Sequence, residues 1–137
     1  MNISFSATIP QFRARQKHVT RRGNANDPTW KRLKAGDVLV GCEKCQGLGK
    51  GGKIVKMGLI NVLEVTREPL DEILNNDIRC TPEYIRISYK NHNGRRPNEP
   101  TLEGFPELSP RAFIKMFCEM NDCEPETEIT RILFDYL

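Results

Sequence analysis

Apolar residues along the chain recur with two periods, every second residue or every third to fourth, and the period changes several times. Ile3 and Phe5 alternate with Asn2, Ser4 and Ser6, which predicts a first strand with one buried face. Between Thr8 and Gln16 the residues Ile9, Phe12 and Gln16 share a side, and Pro10 suits an early helical position, so a short helix follows. It delivers the chain to Gln16-Lys17-His18-Val19-Thr20-Arg21-Arg22. In extended form Lys17, Val19 and Arg21 share one face of this stretch, and His18, Thr20 and Arg22 the other. A bend near the start of the strand is therefore needed to bring the Lys17 ammonium and the Thr20 hydroxyl to one cavity. Arg22 to Pro28 is a loop by composition, after which Trp30 and Leu33 re-enter apolar surroundings.

Lys34-Ala35-Gly36-Asp37 is a turn signal placed before the short apolar strand Val38-Leu39-Val40. Gly47, Gly49, Gly51 and Gly52, interleaved with Lys50 and Lys53, predict a flexible hairpin loop without the GxxxxGK[ST] pattern of a phosphate cradle. Ile54 to Thr66 is the longest strand candidate, apolar on both faces and therefore central. Pro69 to Leu74 reads as a short helix with its acidic residues early. From 75 to 100 the signals conflict: Thr81-Pro82-Glu83 can open a helical turn, Ile85 and Ile87 alternate like strand residues, and Asn91 to Pro97 is rich in loop formers. A mobile loop is expected over 88–101. Ser109 as N-cap and Pro110 at the first helical position open the clearest helix, whose Ala112, Phe113, Met116, Phe117 and Met120 form a predicted core stripe. Glu128 to Tyr136 closes as a strand, with Thr130, Ile132, Phe134 and Tyr136 on one face and Arg131, Leu133 and Asp135 on the other.

The 137 residues suit a single domain spanning 1–137. No apolar run approaches the ~20 residues of a membrane span, and the first residues carry no signal-peptide pattern, so a cytoplasmic protein without a membrane partner is expected. The net charge of +3 is modest, but Arg13, Arg15, Lys17, Arg21, Arg22, Lys31, Arg32 and Lys34 crowd the first quarter while the acidic residues gather near Glu119–Glu128. That asymmetry favours encounter with phosphate groups or else marks a solvated basic face. The 5 cysteines disfavour a disulfide framework. Cys42 and Cys45 have metal-ligand spacing and Cys118 with Cys123 is the pair available to complete a zinc site, but the second spacing fits poorly and buried, reduced thiols are the favoured reading.

Five segments carry a family resemblance: Phe12; Lys17-His18-Val19-Thr20-Arg21-Arg22; Leu33-Lys34-Ala35-Gly36-Asp37; Glu103-Gly104-Phe105 followed by the Ser109-Pro110 helix; and Ile132-Leu133-Phe134. Their order and spacing resembles the ASCH domain family of the PUA-like superfamily. The resemblance implies an α+β fold, a small β-barrel of about five to six strands with about two to three flanking helices. It also implies a basic cleft that binds RNA or a modified nucleoside. One branch of the family consists of amidohydrolases that remove an acyl group from N4-acetylcytidine, and by that resemblance Lys17, Thr20 and Glu103 are the candidate catalytic residues, with Glu107 near enough to compete for the glutamate position. No cofactor is expected.

Such a set is chemically coherent. A threonine hydroxyl attacks a carbonyl only when a base takes its proton, and a desolvated lysine has a pKa low enough to serve. Glu103 can protonate or orient the leaving amine, and Arg22 or backbone donors can meet the oxyanion. The same residues also make sense without chemistry, Lys17 pairing with Glu103 along a cleft. In a binding module, phosphates would follow Arg13, Arg15, Arg21, Arg22 and Lys31 while Trp30 stacks on a base, although Trp30 beside Leu33 also reads as core. Within that picture Arg22 faces the cleft and Arg21 the outer basic surface. A ribonuclease using Lys17, His18, Arg22 and Glu103 is a further alternative.

Overall fold

The longest predicted strand forms the axis of the structure. In the computed structural model, which describes residues 1–23 and 25–137, strand β4 (Lys56–Pro69) pairs antiparallel with β3 (Val38–Cys42) on one side and with β5 (Glu128–Tyr136) on the other. The remaining strands extend the sheet at its edges: β1 (Asn2–Ser4) lies parallel to β3, and β2 (Val19–Arg22) antiparallel to β5, giving the order β1-β3-β4-β5-β2. The described residues also form five α-helices, α1 (Ile9–Arg13), α2 (Pro28–Lys31), α3 (Pro82–Asn91), α4 (Glu99–Glu103) and α5 (Pro110–Asn121), and a 3-10 helix, Leu70–Leu74. Asn24, within the predicted loop from Arg22 to Pro28, lies outside the described residues. No helix among the described residues is long and apolar enough to cross a membrane.

The α+β class agrees with expectation; the closed barrel does not. β1 and β2 are the two edges of an open mixed sheet, and the helices outnumber those of the implied barrel. Each edge strand is short, β1 with 3 residues and β2 with 4, and each pairs with one neighbour alone among the described residues. Past Ser4 the chain turns away through Ser6 and Ala7 towards α1. One side chain crosses the opening, Nη2 of Arg22 donating to the Ser4 carbonyl at 2.7 Å.

Three apolar clusters hold the layers together. Phe5, Phe12, Leu39, Ile60 and Phe134 pack on one face of the sheet, with the Phe5 and Phe12 rings stacked at 4.6 Å. Gly41 leaves room for this stack, since a Cβ there would stand 2.3 Å from Cζ of Phe12. Val19 and Leu133 pack on the opposite face against Tyr84, Ile87 and Leu102 of α3 and α4. At one end the 3-10 helix and Ile129 meet Phe113, Ile114 and Phe117 of α5. Burial of such side chains contributes roughly 1.5–3 kcal/mol each.

Of the segment 88–101 expected as a mobile loop, 88–91 end α3 and 99–101 lie in α4, while 92–98 are neither helix nor strand. Pro82 opens α3, whose buried Tyr84, Ile87 and Ser88 follow helical spacing, so the alternation of Ile85 and Ile87 was not a strand signal. Asn98 caps α4 by accepting from the Thr101 N–H at 3.0 Å. The link between them is pinned where the Tyr84 hydroxyl donates to the Pro97 carbonyl. One further expectation needs correction: Met120 of the predicted core stripe is 61% exposed. Both faces of β5 are covered, so Arg131, opposite Thr130 and Ile132, is completely buried.

Candidate functional site

The bend that Lys17 and Thr20 require is present. Helix α1 ends at Arg13 and the chain turns at Arg15, which has a φ of 57°. The Gln16 N–H donates to the Gln11 carbonyl at 3.0 Å. Lys17 thus precedes β2 and is not part of its ladder. The Tyr136 hydroxyl donates to the Lys17 carbonyl, and the His18 N–H donates to the Leu102 carbonyl at 2.8 Å. Lys17 and Thr20 consequently line the same cavity, of about 250 Å³, in the gap between the unpaired edges of the sheet.

Glu103 reaches that cavity from the last turn of α4. Gly104, with a φ of 103°, takes the left-handed position that ends the helix, and Nε2 of Gln11 donates to its carbonyl at 3.1 Å. The Lys17 ammonium donates to the Glu103 backbone carbonyl and lies 3.3 Å from its carboxylate. Glu107, the competing position, is exposed on a different cavity. Phe105, Phe113, Met116, Phe117 and Met120 wall one side of the Lys17 cavity. Thr20 is buried and borders this space.

Burial pushes the Lys17 pKa down to about 8, with the nearby Arg22 charge acting in the same direction and Glu103 opposing both. Arg22 is lowered to about 10 by burial, which the Glu103 charge only partly offsets. Its guanidinium lies 5.5 Å from the ring centres of both Phe5 and Trp30. Arg21 differs. Burial opposes its charge, but Glu99 and Glu103 outweigh that and hold its pKa above the ordinary value.

Behind the cavity lies a buried ion network that the sequence did not suggest. Arg21 donates through Nη1 to Glu103 at 2.9 Å and through Nη2 to Glu99 at 2.7 Å. Glu99 also accepts from Arg131, and Nε of Arg79 stands 3.4 Å away. Arg79 in turn donates twice to Glu68, at 2.8 Å for each bond. Glu99 and Glu103 stand one turn apart on α4, so a single guanidinium spans both. Their spacing in Asn98-Glu99-Pro100-Thr101-Leu102-Glu103, after a capping asparagine, was the available signal.

The predicted nucleic-acid contacts separate. Arg21 is buried in its ion pairs, which corrects its assignment to an outer basic surface: a guanidinium facing two carboxylates in the interior is unavailable to phosphate. Arg22 reaches the cavity, whereas Trp30 lines a neighbouring depression on the other side of Arg22 and packs partly against the core. Lys31 is exposed. Arg13 is exposed and paired with Glu43 at 3.0 Å, whereas Arg15 lies over the Tyr136 ring on another depression. His18 is completely buried, its Nδ1 bonded to the Phe134 carbonyl at 3.0 Å and its Nε2 to Asn91 at 2.7 Å, so it is not a cavity group. Cys118 and Cys123 approach to 3.8 Å between sulfurs, and Cys42 is buried. Among the described residues no three His, Cys, Asp or Glu side chains are grouped to hold a metal ion.

No family model and no curated protein matches the sequence. Solved structures resemble the chain in fold. Protein EF3133 from Enterococcus faecalis V583, assigned to family DUF984, has a TM-score of 0.52 and 11% identity over 93% of this chain and 68% of its own. The hypothetical protein PH0355 has a TM-score of 0.52 and 14% identity over 100% of this chain and 96% of its own. Likeness at such identities concerns the fold alone: the chain shares the arrangement of a small α+β protein with both structures.

Proposed function

We propose that the cavity binds a modified nucleoside and hydrolyses an N-acyl group on its base, in the manner of the N4-acetylcytidine branch that the sequence resembles. The observation that carries the reading is the convergence of Lys17, Thr20 and Glu103 on one cavity with an aromatic wall. Its volume of about 250 Å³ suits a pyrimidine nucleoside, and the Phe and Met side chains offer an apolar surface for a base.

The chemistry uses groups already in place. The free-base form of Lys17 takes the Thr20 proton as the hydroxyl oxygen attacks the acyl carbon. The cationic Lys17 formed and Arg22 favour the negative charge that develops on the carbonyl oxygen. Collapse breaks the C–N bond, the departing amine takes the proton from Lys17, and water then releases the acyl group from Thr20 with Lys17 again as base. Glu103 holds the ammonium in position through its 3.3 Å contact. A ribonuclease reading loses its histidine, since both His18 nitrogens are bonded in the interior.

The test is hydrolysis of N4-acetylcytidine followed by chromatography. The wild type is expected to release cytidine, and Lys17→Ala and Thr20→Ala to lose about 10³-fold or more of the rate while keeping their circular dichroism. Absence of turnover by the wild type, with cytidine still bound, leaves a binding module and removes the hydrolase.

A further inference from the structure

Arg22 divides two spaces. On one side is the Lys17 cavity; on the other is a larger one of about 490 Å³, lined by Ser6, Thr29, Trp30, Lys44 and Gln46. Of the Arg22 nitrogens, Nη2 donates to the Ser4 carbonyl, while Nε is buried without a partner among the described residues. No carboxylate lies within 4 Å of the guanidinium among the described residues, whereas Arg21, its neighbour in sequence, has two. A cation taken out of water is normally matched by an anion, and among the described residues this one has instead the Ser4 carbonyl and the faces of Phe5 and Trp30. With its faces covered, what it can still offer a ligand is its in-plane N–H edge, the geometry that grips an oxyanion.

The surroundings point the same way. Lys44 adds an exposed second charge, Ser6 and Thr29 add hydroxyl donors, and Gln46 an amide. The volume exceeds that of one phosphate and admits a sugar with it. We infer that this second cavity is a phosphate subsite, Arg22 and Lys44 holding the phosphate of a nucleotide whose base occupies the Lys17 cavity. The inference rests on the nucleoside reading of that first cavity and narrows it from a nucleoside to a nucleotide. The phosphate belongs either to a free monoester or to a phosphodiester within RNA.

Trp30 is the sole tryptophan of the sequence and borders the subsite, so its fluorescence reports occupancy. Cytidine, cytidine 5′-monophosphate, inorganic pyrophosphate and a short single-stranded RNA without terminal phosphates would be titrated into the wild type and into Lys44→Glu. Lys44 is exposed on a loop, so the variant is expected to fold. Binding of the monophosphate about 10-fold tighter than cytidine at low salt is expected, with the advantage lost in Lys44→Glu and at high salt while cytidine affinity is unchanged. Equal affinities for cytidine and its monophosphate, insensitive to Lys44→Glu, would overturn the subsite and leave the nucleoside reading standing. If cytidine fails to bind but the monophosphate and pyrophosphate bind equally and lose affinity in Lys44→Glu, the anion site stands and the nucleoside reading falls. Silence from all four ligands removes both. Lys44-dependent binding of the RNA identifies an internal phosphodiester as the source, and its absence, with the monophosphate bound, a terminal monoester.

Discussion

The Lys17 ammonium lies 3.3 Å from the Glu103 carboxylate, across a separation of 86 residues. The pairing joins the entry to β2 with the end of α4, and both residues are almost fully buried. It restrains Lys17 without restoring an ordinary pKa: burial still prevails, and the group titrates at about 8.

If Lys17 acts as the base, N4-acetylcytidine hydrolysis rises with pH through a midpoint near 8. Glu103 opposes the depression, so Glu103→Gln moves that midpoint to lower pH while reducing the maximal rate. A pH–rate profile of the two proteins checks this; a midpoint that stays or rises in the variant counts against Lys17 as the titrating group.

Lys17 also shapes stability. Its folded pKa lies below the unfolded value of 10.5, so between about pH 8 and 10.5 the unfolded chain binds more protons. The Lys17 contribution therefore becomes more favourable as pH rises through that window. Urea denaturation of the wild type and Lys17→Met should show the stability difference moving in favour of the wild type from pH 7.5 to about 10.

Glu99 is completely buried among Arg21, Arg79 and Arg131, and removing it leaves cations facing one another. Glu99→Ala is expected to cost about 3–5 kcal/mol in chemical denaturation. Burial acts to raise the Glu99 pKa, but the Arg21 and Arg131 charges hold it below 4.5. Its stabilisation is thus full above the unfolded pKa and lost as pH falls through the lower folded one.

Gly41→Ala tests the core. The added Cβ would meet the Phe12 ring at 2.3 Å, and that ring is already stacked on Phe5 and tilted against Phe134. A loss of about 1–3 kcal/mol in thermal or urea unfolding is expected. A neutral outcome would mean that the aromatic stack gives way freely.

His18 is held by two bonds that a neutral ring with its proton on Nδ1 satisfies together: Nδ1–H donates to Phe134, and Nε2 accepts from Asn91. Burial lowers its pKa below 6.5, outweighing the Phe134 carbonyl and Asp135. Imidazole NMR should find the Nδ1–H tautomer and a titration midpoint below 6.5. Protonation accordingly works against the folded state as pH falls below 6.5, because the unfolded chain takes up the proton first.

Local signals were readable where local chemistry decides the outcome. Ser109 and Pro110 marked the start of α5, its hydroxyl accepting from Ala112 at 3.1 Å. The apolar run after the glycine loop gave β4 its central place, whereas Lys17, Thr20 and Glu103 were singled out through the family resemblance. What stayed hidden depends on distant partners. Arg131 alternates with apolar residues as a solvent-facing charge would, and only β5 lying between covered faces makes it a buried cation. Glu99 sat in a stretch read as loop, so its network had no visible anchor. Sheet closure was equally illegible: whether β1 meets β2 depends on where the intervening elements carry the two edges, which no local signal records.

The placement of β5 between β4 and β2 sets the order of assembly on the ribosome. His18 bonds to Phe134 across 116 residues, so a nascent chain holding α1, β2 and even α4 still lacks the strand against which β2 is zipped. Until that strand emerges, Val19 has no Leu133 to cover it and Arg21 lacks the neighbouring Arg131 that helps fix Glu99. Completion of the sheet therefore waits for β5, and chains truncated before it are expected to leave the apolar faces of β2 and β4 uncovered.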